Sequence, residues 1–100
     1  MNVEIKQEGN VFQVTLNGRL DTTNADQFGN DIQPLLTAQN PQITFDCSGM
    51  EYTSSQGLRM FLMLQKAVIA NNGSMVMTNM IPNVKEVFDI TGFSNIIKII

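Results

Sequence analysis

The sequence contains no histidine, no tryptophan and a single cysteine among its 100 residues. The missing histidine removes both the commonest acid–base group near neutrality and the commonest metal ligand. Histidine-dependent hydrolases and most zinc chemistries are thereby excluded. One cysteine cannot close an internal disulfide, so nothing in the chain asks for an oxidising compartment. Basic charge is scarce. The 6 lysines and arginines against 9 acidic residues leave a net charge of -3, the opposite of a phosphate-backbone reader, and no nucleic-acid partner is expected. Met1-Asn2-Val3-Glu4 lacks a positive n-region, and no apolar run approaches the ~18 residues of a membrane span. The expectation is a cytoplasmic domain without direct membrane insertion.

What is present suffices for one core. Hydrophobic residues make up 43% of the chain, and 100 residues suit a single domain over 1–100 rather than two halves. A chain of this size buries roughly 60–70% of its unfolded surface without disulfide or metal staples.

Val3 and Ile5, then Val11, Phe12, Val14 and Leu16, read as two strands joined by the turn residues Glu8-Gly9-Asn10. Arg19-Leu20-Asp21 then reads as the way into a loop. Thr23 with Asp26 resembles a capping box, and Phe28, Ile32, Leu35 and Leu36 recur at helical spacing, predicting a helix over about 24–38. Pro34 predicts a kink or an early end within it. Gln42 to Asp46 alternates as a strand, and Cys47 to Tyr52 reads as a loop. A second helix is expected over about 54–70. Its Leu58, Met60, Phe61, Leu62, Met63, Leu64, Val68 and Ile69 cover so much of its circumference that it is either buried on a wide arc or exposes an apolar patch. Asn71-Asn72-Gly73 ends it, and Met75-Val76-Met77 is the next strand. Pro82 opens a third helix with Val84, Val87 and Phe88 on one face, and Ile96 to Ile100 is a final strand. The order β-β-α-β-α-β-α-β predicts an α/β fold: a mixed sheet with helices packed on it and right-handed crossovers.

Two polar loops lie where strands hand over to helices, the usual functional edge of such sheets. One is Gly18 to Ala25. The other runs from Asp46 through Thr53-Ser54-Ser55-Gln56-Gly57-Leu58-Arg59. Thr53 and Gln56 fit a capping box, which would make Ser54 and Ser55 ordinary first-turn residues and Gly57 a packing residue. The same geometry exposes a first-turn hydroxyl to another protein's active site. Phosphorylation there would add about -1.5 to -2 charge at a helix end that tolerates an anion. Arg59 lies one turn beyond Ser55. Catalysis by these serines lacks a base, since no histidine is available. Asp21 and Asp46 read as solvated loop or capping carboxylates rather than a metal or acid–base pair, and Cys47 as a small buried hydrophobe. No catalytic residue, metal ligand or cofactor is implied.

Four segments together resemble one family. Leu16-Asn17-Gly18-Arg19-Leu20-Asp21 with Asn24-Ala25 is the first; Asp46-Cys47-Ser48-Gly49-Met50-Glu51-Tyr52 is the second. Ser54-Ser55-Gln56-Gly57-Leu58-Arg59 and Val87-Phe88-Asp89-Ile90-Thr91-Gly92-Phe93 complete the set. In this order, at compatible spacing, they resemble the STAS domains of anti-sigma factor antagonists. The resemblance implies a partner-switching protein that is not an enzyme. Its partners would be an anti-sigma factor serine kinase of GHKL type and a phosphoserine phosphatase. By position, Ser55 matches the phosphorylated serine, with Ser54 as the alternative acceptor. Asp21, Thr22, Thr53, Ser54, Gln56, Gly57 and Arg59 would form the partner-binding surface. Ser54 stands where many members have aspartate, and Gln56 where a small residue is usual. The second function the resemblance allows is a constitutive accessory or scaffold subunit without a phosphoswitch. An exposed apolar edge is expected near residues 96–100.

Overall fold

Alternating apolar and polar residues at the start of the chain pair as β1 (Asn2–Glu8) and β2 (Val11–Leu20) in a computed structural model that describes residues 1–100. Glu8 pairs opposite Val11, which narrows the expected Glu8-Gly9-Asn10 turn to the two residues Gly9-Asn10. Beyond it the chain runs through α1 (Ala25–Asp31), α2 (Gln33–Leu36), β3 (Gln42–Thr53), α3 (Ser55–Ala70), β4 (Ser74–Thr78), α4 (Pro82–Ile90) and β5 (Lys98–Ile99). The predicted first helix is divided at Ile32. Pro34 sits in the first turn of α2, where its missing N–H costs no helical bond.

The five strands lie side by side in chain order, with β1 antiparallel to β2 and every later pair parallel. Crossovers of one hand between strands that never reverse their order carry every helix to the same side. The burial pattern follows. Phe12, Val14 and Leu16 of β2, Ile43, Phe45 and Cys47 of β3 and Met75 and Met77 of β4 are buried, while alternate residues such as Gln13, Thr44 and Ser74 face solvent. An order without a reversal also provides no switch-point crevice of the kind in which doubly wound sheets hold nucleotides.

Phe61 of α3 is the hub of the core. Its ring meets Phe28 of α1 at 5.2 Å, Phe45 of β3 at 5.9 Å and Phe88 of α4 at 6.1 Å between centroids, the first two edge-on. Edge-on contact places the positive rim of one ring on the negative face of another. Leu58, Leu64 and Val68 fill the same side of α3, whereas Met63 and Ile69 are exposed, so the helix is buried on a wide arc and also shows apolar surface.

Two segments expected as loops are strand. Arg19-Leu20 belongs to β2, and β3 continues from Asp46 through Cys47–Tyr52 to Thr53. The ladder accommodates this by two register shifts, between Thr15 and Asn17 and between Gly18 and Arg19, where β3 contributes extra residues. At the first shift the Asp46 carboxylate accepts the Ser48 N–H at 3.0 Å. Gly49 is required there, because a Cβ would stand 2.8 Å from the Leu16 carbonyl oxygen and closer still to the Asn17 side chain. The polar composition that resembled a loop is thus the chemistry of a bulged strand. The last strand is shorter than expected. Phe93–Asn95 forms a single 3-10 turn, and only Lys98–Ile99 pairs with β4, by Val76 opposite Lys98 and Met77 opposite Ile99. Ile97 is buried while Ile96 and Ile100 are exposed, which is the apolar edge expected at this end. No helix is long and apolar enough to cross a membrane.

Candidate functional site

The carboxyl ends of β2 and β3 and the start of α3 meet at one edge of the sheet. Ser54 N–H donates to the Leu20 carbonyl at 2.9 Å, so the β2–β3 ladder runs directly into the helix cap. Gly57 then allows α3 to sit against β2: a Cβ there would lie 2.8 Å from Leu20 Cγ and would also collide with the Thr53 hydroxyl. Thr53 is buried, and its hydroxyl donates to the Ser54 carbonyl at 3.3 Å.

The helix cap is Ser54, not Thr53. Ser54 has extended backbone dihedrals, and its Oγ accepts the Gly57 N–H at 3.2 Å. The capping box expected between Thr53 and Gln56 is absent because Thr53 still belongs to the strand, its side chain turned inward by the β alternation. This division of labour separates the two serines. Ser54 Oγ is half-buried and engaged; Ser55 is the first helical residue, is exposed, and its hydroxyl has no partner within the chain. Loss of an N-cap hydroxyl costs about 1 kcal/mol, and an aspartate in its place caps as well. Ser54→Ala is therefore expected to lower the melting temperature by about 4–8 °C, and Ser54→Asp to leave it unchanged. Equal melting temperatures for wild type and Ser54→Ala would contradict the assignment.

The neighbouring loop is fixed by Asn24. The expected Thr23 cap is not formed: Asn24 occupies the N-cap position of α1 without capping. Instead its side chain donates to the Arg19 carbonyl at 2.8 Å and accepts the Asp21 N–H at 2.9 Å, stapling the end of β2 to the start of α1. Asp21 in turn accepts from both the hydroxyl and the N–H of Thr23. Those two hydrogen bonds, the hydroxyl's first, hold its carboxyl below the usual aspartate value. Thr22 is exposed on the same loop. Arg19 stands opposite Tyr52 in the ladder, and its guanidinium lies 4.3 Å from the centre of the Tyr52 ring. The sequence placed Asn24, Arg19 and Tyr52 in the family-like segments but showed neither the Asn24 staple nor the Arg19–Tyr52 stack. The stack exists only because both strands run longer than their composition suggests.

Of the residues marked in the sequence, Asp21, Thr22, Ser54, Ser55, Gln56 and Arg59 reach the surface at this edge, while Thr53 and Gly57 are buried and shape it from beneath. Asp46 is spent on the bulge, where the Ser48 N–H lowers its pKa, rather than paired with Asp21. Cys47 is fully buried, and burial, then the nearby Asp46 charge, pushes its thiol up to about 12. It is a core residue, as expected, and not a thiolate. No group of three or more cysteine, aspartate or glutamate side chains is placed to hold a metal ion. A concavity lies on the hairpin, lined by Lys6, Gln7, Glu8, Val11 and Gln13, at the opposite end of β2. What remains at the edge is an exposed polar surface that includes the unpartnered Ser55 hydroxyl.

The fold is a single α/β domain with its helices on one side of a five-stranded sheet. The STAS domain model matches residues 2–100, and the chain belongs to the STAS domain family, among the anti-sigma factor antagonists. It is 31% identical over 99 residues to the anti-sigma-B factor antagonist of Bacillus subtilis, covering 99% of this chain and 90% of that protein. An anti-sigma-factor antagonist (STAS) domain protein from Planctomyces limnophilus superposes with a TM-score of 0.85 at 18% identity, over 97% of this chain and 87% of the other. The Bacillus cell fate determinant SpoIIAA, solved in its phosphorylated form, superposes with a TM-score of 0.73 at 18% identity, over 99% and 91%.

Proposed function

We propose that this chain antagonises an anti-sigma factor by binding it directly, and that phosphorylation of Ser55 switches the binding off. The anti-sigma factor would be a serine kinase of GHKL type, and a phosphoserine phosphatase would reset the switch. The observation behind this is the division of labour at the helix start: Ser54 closes the cap, which leaves the Ser55 hydroxyl exposed and unpartnered on the first turn of α3. In the transfer, Ser55 Oγ forms a bond to the γ-phosphorus of ATP, the bond to the bridging β–γ oxygen breaks, ADP leaves, and the hydroxyl proton passes to the kinase's base. The chain supplies the acceptor and its orientation, and the kinase supplies the chemistry.

Binding before transfer would use the surface around that hydroxyl, namely Asp21, Thr22, Ser54, Gln56 and Arg59, with Thr53 and Gly57 holding its shape. The name of the Bacillus subtilis relative and the phosphorylated form of SpoIIAA support this reading. The test is incubation of the chain with the anti-sigma kinase of its own genome and ATP, followed by mapping of the modified peptide. One phosphoryl group on Ser55 is expected. A phosphoryl group on Ser54 alone, or none, contradicts the proposal.

A further inference from the structure

Ser55 and Arg59 stand one turn apart on the same side of α3, both exposed. Residues at i and i+4 in a helix have their Cβ atoms ~5–6 Å apart, within easy reach of an arginine side chain. The first turn of α3 contains no acidic residue, and Arg59 enters no ion pair; the one ion pair of the chain joins Lys85 and Asp89 at 3.0 Å on α4. Its guanidinium is therefore uncommitted. The other arginine is placed differently. Arg19 is stacked on Tyr52, and its charge already acts on Asp21. The next cation along α3, Lys66, is 11 residues beyond Ser55, about three turns away.

We propose that a phosphate on Ser55 is clamped by Arg59. The proposal rests on the reading of Ser55 as the modified residue and specifies how the modification acts on the surface. A phosphoserine dianion offers three acceptor oxygens, and the planar guanidinium matches them with two parallel N–H groups. Phosphorylation then changes the binding surface twice. It adds negative charge at Ser55, and it withdraws the positive charge of Arg59 from any partner group that Arg59 met in the unmodified state. The net change in charge is that of the phosphate, and the clamp spreads its effect over two positions of the surface.

The clamp can be tested without a kinase, on the full chain carrying genetically encoded phosphoserine at position 55. The readout is the second pKa of the phosphate, followed by phosphorus NMR across a pH titration. An exposed i,i+4 pair is modest in strength, so Arg59→Gln is expected to raise that pKa by about half a unit. Arg59→Lys should restore part of the difference. Arg19→Gln, which removes a cation already held on Tyr52, should leave it within about 0.1 unit of the unsubstituted chain. The other charged groups on elements packed against α3 are mostly acidic: Asp26 and Asp31 on α1, Asp46 and Glu51 on β3, and Glu86 and Asp89 on α4, whose one cation, Lys85, is paired with Asp89 at 3.0 Å. With Asp21 on the adjoining loop, these carboxylates raise the phosphate pKa alike in every variant. An unchanged pKa in Arg59→Gln, or an equal shift in Arg19→Gln, would overturn the clamp. Failure of the kinase to modify Ser55 overturns the phosphoswitch instead and leaves this titration unaffected.

Discussion

Ser55→Ala is expected to accept no phosphoryl group from the anti-sigma kinase, a loss of more than about 100-fold relative to wild type, because the nucleophilic oxygen itself is gone. The neighbouring hydroxyl does not substitute. Ser54 Oγ is tied to the Gly57 N–H at 3.2 Å, and its use as a nucleophile would open the helix cap. The substitution should leave the fold untouched. Ser55 is exposed at the first helical position and its side chain holds nothing in place, so a change in stability within about 0.5 kcal/mol is expected. A melting curve measured beside the phosphorylation assay separates the two effects. Transfer to Ser55→Ala at the wild-type rate would show that the acceptor lies elsewhere. The Ser54→Ala chain is the necessary companion: it should lose stability and keep its acceptor.

Phe61→Ala is expected to give the largest loss of stability in the chain. Phe61 is fully buried and touches the rings of Phe28, Phe45 and Phe88, so its removal empties the point where α1, β3 and α4 converge on α3. Core phenylalanine truncations cost about 3–5 kcal/mol, through lost transfer free energy and the cavity left behind. Domains of this size hold a total of about 5–15 kcal/mol. The melting temperature should therefore fall by roughly 15–25 °C, with the variant close to unfolding at physiological temperature. Urea denaturation measures this directly. Ile69→Ala, on the exposed side of the same helix, should shift the midpoint little. A Phe61→Ala midpoint close to that of Ile69→Ala would refute the central role given to this ring.

The element order and the alternation that fills the core could be read from the sequence because both depend on local periodicity. Phe12, Val14 and Leu16 alternate as a half-buried strand must, and Leu58, Phe61, Leu64 and Val68 repeat as a helix face does. The divided first helix also followed from a single residue, Pro34. What local pattern did not reveal were features set by pairing across the sheet. Cys47 to Tyr52 looked like a loop, since Ser48 and Gly49 are turn residues; register with β2, not propensity, makes them strand. The same displacement moved the cap from Thr53 to Ser54. A one-residue shift of the strand end decides which hydroxyl faces inward and which closes the helix, and therefore which serine is left free. The role of Asn24 was equally hidden, because its two bonds reach Arg19 and Asp21 across a turn whose shape the sequence does not specify.

The central claim is that one phosphate at Ser55 breaks a protein complex without disturbing the domain. It is tested most directly by calorimetric titration of the anti-sigma kinase with two forms of the full chain, one unmodified and one with encoded phosphoserine at position 55. Their melting temperatures are recorded in parallel. The unmodified chain should bind, and the phosphorylated chain should bind at least about 30-fold more weakly with its fold intact, as expected when a charge is forced into a desolvated contact. Equal affinities for the two forms would contradict the switch and point to a constitutive scaffold on the same fold.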